Sequence, residues 1–230
     1  TSGSGTTDVT YVPANGSNVY TLTEVASGGT TMTNYETRID CTNAKVGSTT
    51  VLPSTTVGTF NSTQSYTVTP VVGDVITCTM TNKRTAPRIR IYKVLGGERY
   101  AAADQFTLEV RNAANTSTLA TVTTTGTGSN ITGTGYPLNY TATTGTTYTI
   151  REIMAGGSSS ILSDYINSYS CVNNATGVTT SGTGTSLSFT AAKYDDLECT
   201  FTNTPRPRIK VNKTVNVSLI DSADRFTTQI

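Results

Sequence analysis

The chain has 230 residues, with 16 Lys+Arg against 15 Asp+Glu, a net charge of +1, four Cys, no His and no Trp. That balance gives no electrostatic reason to expect nucleic acid or an anionic membrane surface as a partner. Without His, and with no C-x-x-C or G-x-S-x-G pattern, neither a zinc site nor a conventional hydrolase has support, so no cofactor, no metal and no ordinary enzyme activity is expected. Thr, Ser, Gly and Asn dominate, and only 13% of residues are charged. Thr, Val, Ile and Tyr favour strands while Gly and Asn favour their turns, so the expected class is all-β, with length enough for more than one core.

The predicted strands carry two-residue alternation. In chain order they are V-Y-T-L-T-E (19–24), Q-S-Y-T-V-T-P-V-V (64–72), C-T-M-T-N (78–82), R-I-R-I-Y-K (88–93), Q-F-T-L-E-V (105–110), T-Y-T-I-R-E (147–152), E-C-T-F-T-N (198–203) and I-K-V-N-K (209–213). The stretches G-T-G-S-N (126–130) and S-G-T-G-T (181–185) read as loop tips. No apolar run approaches the roughly 18 residues of a membrane span, and no secretory leader opens the chain.

An internal repeat orders these elements. Segment 19–24 aligns with 147–152, Cys41 with Cys171, Cys78 with Cys199, Pro87 with Pro207 and Phe106 with Phe226. The offset drops from 130 at the first cysteines (171 − 41) to 121 at the second (199 − 78), which puts extra length in the first copy between its two cysteines. The expected organisation is the later part of one repeat (1–86), one whole repeat (87–205) and the opening strands of a third (206–230), as in a window on a longer tandem array. The joints K-R-T-A-P-R-I-R (83–90) and P-R-P-R-I-K (205–210) read as short, stiff, solvated linkers. Each copy carries one cysteine pair, so Cys41–Cys78 and Cys171–Cys199 is the default pairing, with pairing across repeats left open. Disulfides imply an oxidising setting, here extracellular.

Strand parity then turns up three polar residues on apolar faces. Lys93 shares a face with Ile89 and Ile91, Asn203 with Cys199 and Phe201, and Glu152 with Tyr148 and Ile150. The flanking copies repeat the pattern: Glu24 follows Tyr20 and Leu22, Asn82 follows Cys78 and Met80, and Lys213 follows Ile209 and Val211. A lone Lys, Glu or Asn in a core loses its hydration, so three in one repeat are expected to satisfy one another.

An early strand ending in Lys, then A-x-D-Q-F-T-L, then Y-T-I-R-E, then a last strand C-T-F-T-N resembles the collagen-adhesin B-type (prealbumin-like) domains of bacterial pilins and surface adhesins. The resemblance covers 87–205 and the available parts of the flanking copies, and it implies tandem Ig-like β-sandwich repeats. It also implies a spontaneous isopeptide crosslink between Lys93 and Asn203, with Glu152 promoting the reaction. Glu24 and Asn82 would serve in the first repeat and Lys213 in the third. On the residues alone, a buried Lys–Glu ion pair capped by the Asn amide remains open beside the covalent bond.

The functional expectation is a stalk or fibre segment of an extracellular surface adhesin or filament. Its partners would be neighbouring repeats of the same or an identical chain, or a host or neighbouring-cell surface. Two rival readings stand beside it. One is a glycan- or protein-binding module acting through the loops at 43–63 and 112–135. The other is a subunit of a filament or surface layer, in which residues 206–219 of one copy complete the first repeat of the next.

Overall fold

The computed structural model describes residues 10–54, 59–214 and 225–227. The chain divides into two units, one of Thr1–Arg88, Thr141–Thr146 and Thr190–Asp196, the other of Ile89–Tyr140, Thr147–Phe189 and Leu197–Ile230. Both are built of strands, so the expected all-β class is what forms.

The first unit holds β1 (Tyr20–Thr23), β2 (Tyr35–Asn43), β3 (Ser65–Val68) and β4 (Ile76–Arg84). β1 pairs antiparallel with β3, and β2 with β4. The strand expected over 64–72 stops at Val68, because the next residues turn back around Asp74. Its carboxylate accepts hydrogen bonds from the Val71 amide (2.8 Å), the Asn43 amide group (2.8 Å) and the Ser48 hydroxyl (2.6 Å). Pro70 has no N–H to continue a ladder, and Gly73 takes φ +87°, a region that an L side chain strains to enter. Sequence alternation cannot register a side chain that outbids the sheet for the backbone.

The second unit holds β5 (Arg88–Leu95), β6 (Phe106–Asn112), β7 (Thr118–Thr123), β8 (Leu138–Thr141), β9 (Thr147–Met154), β10 (Tyr165–Asn173), β11 (Val178–Thr183), β12 (Ser186–Thr190) and β13 (Asp196–Pro205). They form a five-stranded sheet in the order β11-β10-β13-β5-β8 and a four-stranded sheet in the order β12-β9-β6-β7. The inward residues alternate as the sequence implies: Ile89 and Ile91 on β5, Phe106, Leu108 and Val110 on β6, Ile150 on β9 and Phe201 on β13 are all buried. The sheets meet face to face, with Phe106 of one set edge-on to Tyr165 of the other at 5.5 Å between ring centres.

β5 and β13 are neighbours and run parallel. Arg90 pairs with Glu198 (3.0 Å) near their starts, and the Gly96 amide donates to the Asn203 carbonyl (2.9 Å) near their ends. The close approach at the far end needs glycine, because a Cβ at Gly96 would collide with the Thr204 side chain.

Between β5 and β6, Asp104 is wholly buried and staples the connecting loop to the sandwich. It accepts from the Tyr165 hydroxyl (2.6 Å), the Ala101 amide (3.0 Å) and the Ser160 amide (3.1 Å). Burial pushes its carboxyl up, but hydrogen bonds from Ser160, Tyr165 and the backbone outweigh this and hold it below its ordinary range. With the folded pKa below the unfolded one, this stabilisation is full above the usual carboxylate range of about 4 and is lost as the pH falls through the folded value. Tyr165→Phe should therefore lower stability by about 1–3 kcal/mol at neutral pH, with a smaller loss at acid pH, read from urea midpoints at the two pH values.

Candidate functional site

The three inward polar residues of the second unit come together. Lys93 on β5 and Asn203 on β13 lie on adjacent parallel strands of one sheet, and Glu152 reaches them from β9 of the facing sheet. Lys93 Nζ lies 3.0 Å from Glu152 Oε2, and Asn203 Nδ2 donates to Glu152 Oε1 at 2.6 Å. Exposure is 2% at Lys93, 1% at Glu152 and 0% at Asn203, so the triad is dry. Lys93 Nζ also donates to the Val94 carbonyl (2.9 Å) and the Phe201 carbonyl (3.3 Å) and sits 4.5 Å from the centre of the Phe106 ring.

Burial dominates the electrostatics. It brings the Lys93 pKa down to about 8, against the opposing pull of the Glu152 charge. It pushes the Glu152 carboxyl up, although Lys93 and the Asn203 amide act to lower it. Both shifts move the pair towards neutral amine and neutral acid, since a low-dielectric core disfavours either charge. One polar atom has no partner: Asn203 Oδ1 is buried and accepts no hydrogen bond. An orphan carbonyl beside a carboxyl of raised pKa and an amine of lowered pKa has the reactants for amide exchange in contact order.

Two further residues touch the triad: parity puts Phe106 on the core face, while Tyr136 lies outside any strand. Tyr136 accepts a hydrogen bond from the Lys93 amide (3.0 Å) and donates to the Lys93 carbonyl (3.1 Å), which fixes the backbone under the amine. Phe106 presents its ring to the ammonium. Tyr136 sits in a loop, where alternation carries no information. The repeat could have pointed to Phe106, which aligns with Phe226.

In the first unit Asn82 Nδ2 donates to Glu24 Oε1 at 2.6 Å, the same contact as in the second. Here the Asn82 carbonyl oxygen accepts from the Thr37 hydroxyl (2.8 Å), and Glu24 Oε2 is buried without a hydrogen-bond partner. Among the described residues no lysine stands beside it. Lys213 is exposed, with Nζ donating to the Thr214 carbonyl (3.1 Å) and lying 4.6 Å from the Phe226 ring centre. The segment 206–214 forms no strand, and residues 215–224 and 228–230 of the expected third repeat lie outside the described residues.

Both disulfides join residues directly opposite each other on adjacent antiparallel strands, Cys41 with Cys78 across β2–β4 and Cys171 with Cys199 across β10–β13. Each rivets one sheet from within rather than bridging the two sheets. The loop after β7 is tied down from within. Arg99 donates to the carbonyls of Asp104 (2.7 Å), Gly128 (2.6 Å) and Asn130 (2.9 Å), filling the turn after β7. Among the described residues no cluster of three or more His, Cys, Asp or Glu is placed to hold a metal, and no helix is long and apolar enough to cross a membrane.

A family model described as a prealbumin-like fold domain matches residues 1–84 and again 88–205. No curated protein matches the chain. Among solved structures, the chain is similar to the major pilin from Streptococcus pyogenes. A single-site mutant of that pilin, with an asparagine replaced by alanine, aligns at 15% identity and a TM-score of 0.34, over 81% of this chain and 69% of the pilin. A second crystal structure of the same pilin aligns at 16% identity and 0.31, over 60% and 57%.

Proposed function

The chain belongs to the prealbumin-like fold domain family, and from that premise we propose that it is a load-bearing segment of an extracellular surface fibre or stalk, built of tandem repeats whose boundaries fall near 86 and 205. The observation that carries this reading is the dry Lys93–Glu152–Asn203 triad, set where the first and last strands of a repeat lie side by side. Tension applied at the two ends of that repeat loads β5 and β13 directly. A bond between them would pass the load from strand to strand without unravelling the sandwich. The two disulfides favour an oxidising, extracellular compartment.

The proposed chemistry occurs once per domain. Lys93 Nζ passes its proton to Glu152 and attacks Asn203 Cγ as the neutral amine, while the Glu152 acid hydrogen-bonds Oδ1, the carbonyl oxygen otherwise without a partner. Glu152 then relays protons to Nδ2. The Cγ–Nδ2 bond breaks, ammonia leaves, and an Nζ–Cγ amide remains. The domain is its own substrate and does not turn over.

The direct test is intact mass after reduction, where each crosslink should remove about 17 Da as ammonia. A full-length mass, with Lys93 free to acetylate after unfolding, would sink the covalent reading. The pH dependence gives a second check. The reactive state, neutral amine with neutral acid, holds the same single proton as the ion pair, so the crosslinking rate should be flat while the pair keeps that proton. It should fall above about 8, where Lys93 and Glu152 together give that proton up. A rate that keeps climbing with pH would mean that Glu152 plays no acid role.

A further inference from the structure

The asparagine that meets each glutamate faces a different residue across its antiparallel ladder. Asn203 on β13 stands directly opposite Asn167 on β10, and Asn82 on β4 directly opposite Thr37 on β2. The Asn203 carbonyl accepts from the Gly96 amide and the Asn167 carbonyl from the Gly184 amide, each at 2.9 Å and each on the side away from the other strand. That marks the pair as the narrow, non-hydrogen-bonded kind, in which side chains lie closest. Asn167 Nδ2 donates to the Leu162 carbonyl (2.8 Å), while its Oδ1 is buried and accepts nothing, like Oδ1 of Asn203. Unpaired buried acceptors are costly, and two acceptors cannot satisfy each other. In the first unit the Asn82 oxygen is satisfied, because the Thr37 hydroxyl donates to it at 2.8 Å.

A half turn of the Asn203 amide about Cβ–Cγ removes both orphans at once, provided that Glu152 is the neutral acid. Oδ1 then accepts from the Glu152 acid, and Nδ2 swings to Asn167 Oδ1. While Glu152 is a carboxylate it holds the observed orientation instead, accepting from Nδ2 at 2.6 Å. The protonation state of Glu152 therefore selects the orientation of the amide. The turned form is the one in which the acid meets Oδ1, as attack by Lys93 requires.

We propose that Asn167 is a positioning residue for the crosslink: its Oδ1 accepts from Asn203 Nδ2 in the reactive orientation and leaves the Asn203 carbonyl oxygen to Glu152. No bond forms or breaks at Asn167. Lys93 Nζ still bonds to Asn203 Cγ, and Nδ2 still leaves as ammonia. With its own Nδ2 held by Leu162, Asn167 can only accept at this place, so it favours one orientation. A hydroxyl such as that of Thr37 can donate to Oδ1 or accept from Nδ2, so it favours neither. The role rests on the reading of Lys93, Glu152 and Asn203 above; the turning of the amide does not.

The test makes the full chain by cell-free translation, quenches it at intervals and weighs it intact after reduction. Asn167→Thr, which installs the side chain used in the first unit, should crosslink about tenfold more slowly than wild type. Its rate should still fall above a pH of about 8, since the proton shared by Lys93 and Glu152 is untouched. Asn167→Asp loses the contact to Leu162 but keeps an accepting oxygen, and should crosslink much faster than Asn167→Thr. A Thr variant as fast as wild type, a fall displaced to another pH, or an Asp variant as slow as the Thr variant would overturn the role of Asn167 alone. A wild type that never loses ammonia would sink the reaction and this role with it. The Lys93→Met chain reads the turning by itself. Nothing there can react, and Glu152 without its counter-charge stays neutral. A scalar coupling across the hydrogen bond from Asn203 Nδ2 to Asn167 should then appear in NMR spectra, and its absence would overturn the proposal even where wild type crosslinks.

Discussion

A Glu152→Ala chain should run at its full sequence mass after reduction while wild type is lighter by about 17 Da for the ammonia lost at Asn203. It should also unfold far more readily. The substitution removes the promoter of the reaction and leaves Lys93 buried beside an apolar ring with no counter-charge. Breaking one partner of such a pair costs about 3–5 kcal/mol. A mass change and a stability change could still have separate causes, and the double variant Lys93→Met/Glu152→Gln distinguishes them. An ion pair swapped for uncharged groups of similar volume is close to neutral for stability. A covalent clasp between Lys93 and Asn203 instead closes a long loop, and losing it should cost about 5 kcal/mol in the chain-entropy account. A double variant as heat-resistant as wild type would show that nothing covalent was holding β5 to β13.

The second large effect concerns the sulfur bridge of the same unit. Cys171 and Cys199 close a loop with a separation of 28 residues. Removing the bridge with Cys171→Ala/Cys199→Ala should cost about 3–4 kcal/mol. For a repeat of this size that lowers the melting temperature by roughly 15 °C. The loss should be nearly additive with that of the triad, because the bridge ties β13 to β10 on one side while Lys93 approaches β13 from the other. Strong non-additivity in scanning calorimetry of the single and combined variants would mean that one link shapes the geometry of the other.

Much of this architecture is legible in the residue order, and the reason is periodicity. A period of two places Lys93, Glu152 and Asn203 on core faces without any knowledge of the sheets; the repeat extends that expectation to Glu24, Asn82 and Lys213, but Asn82 and Lys213 are exposed and Lys213 lies in no strand. The cysteine pairs are legible as pairs. That each pair sits directly across one ladder depends on register, which the sequence does not state. Asp74, Asp104 and Arg99 were not legible as loop organisers, because their importance lies in carbonyls and amides gathered from distant segments. Tyr136 was missed for the same reason. The orphan oxygens of Asn203 and Glu24 are invisible at the level of sequence, since an unmade hydrogen bond leaves no pattern.

In a unit whose first and last strands are not bonded to each other, the position of the sulfur bridge sets how much chain stretching can release. When a domain is stretched until it opens, every ordered residue adds about 3.3–3.6 Å of contour. The segments between the bridged cysteines, separated by 37 and 28 residues, stay looped however hard the ends are drawn apart. That withholds roughly 130 Å from the first unit and roughly 100 Å from the second. Such units yield in shorter steps than their full lengths would give. In the Lys93→Met/Glu152→Gln chain, where no clasp shields the loop, reducing agent alone should lengthen each step by the withheld amount.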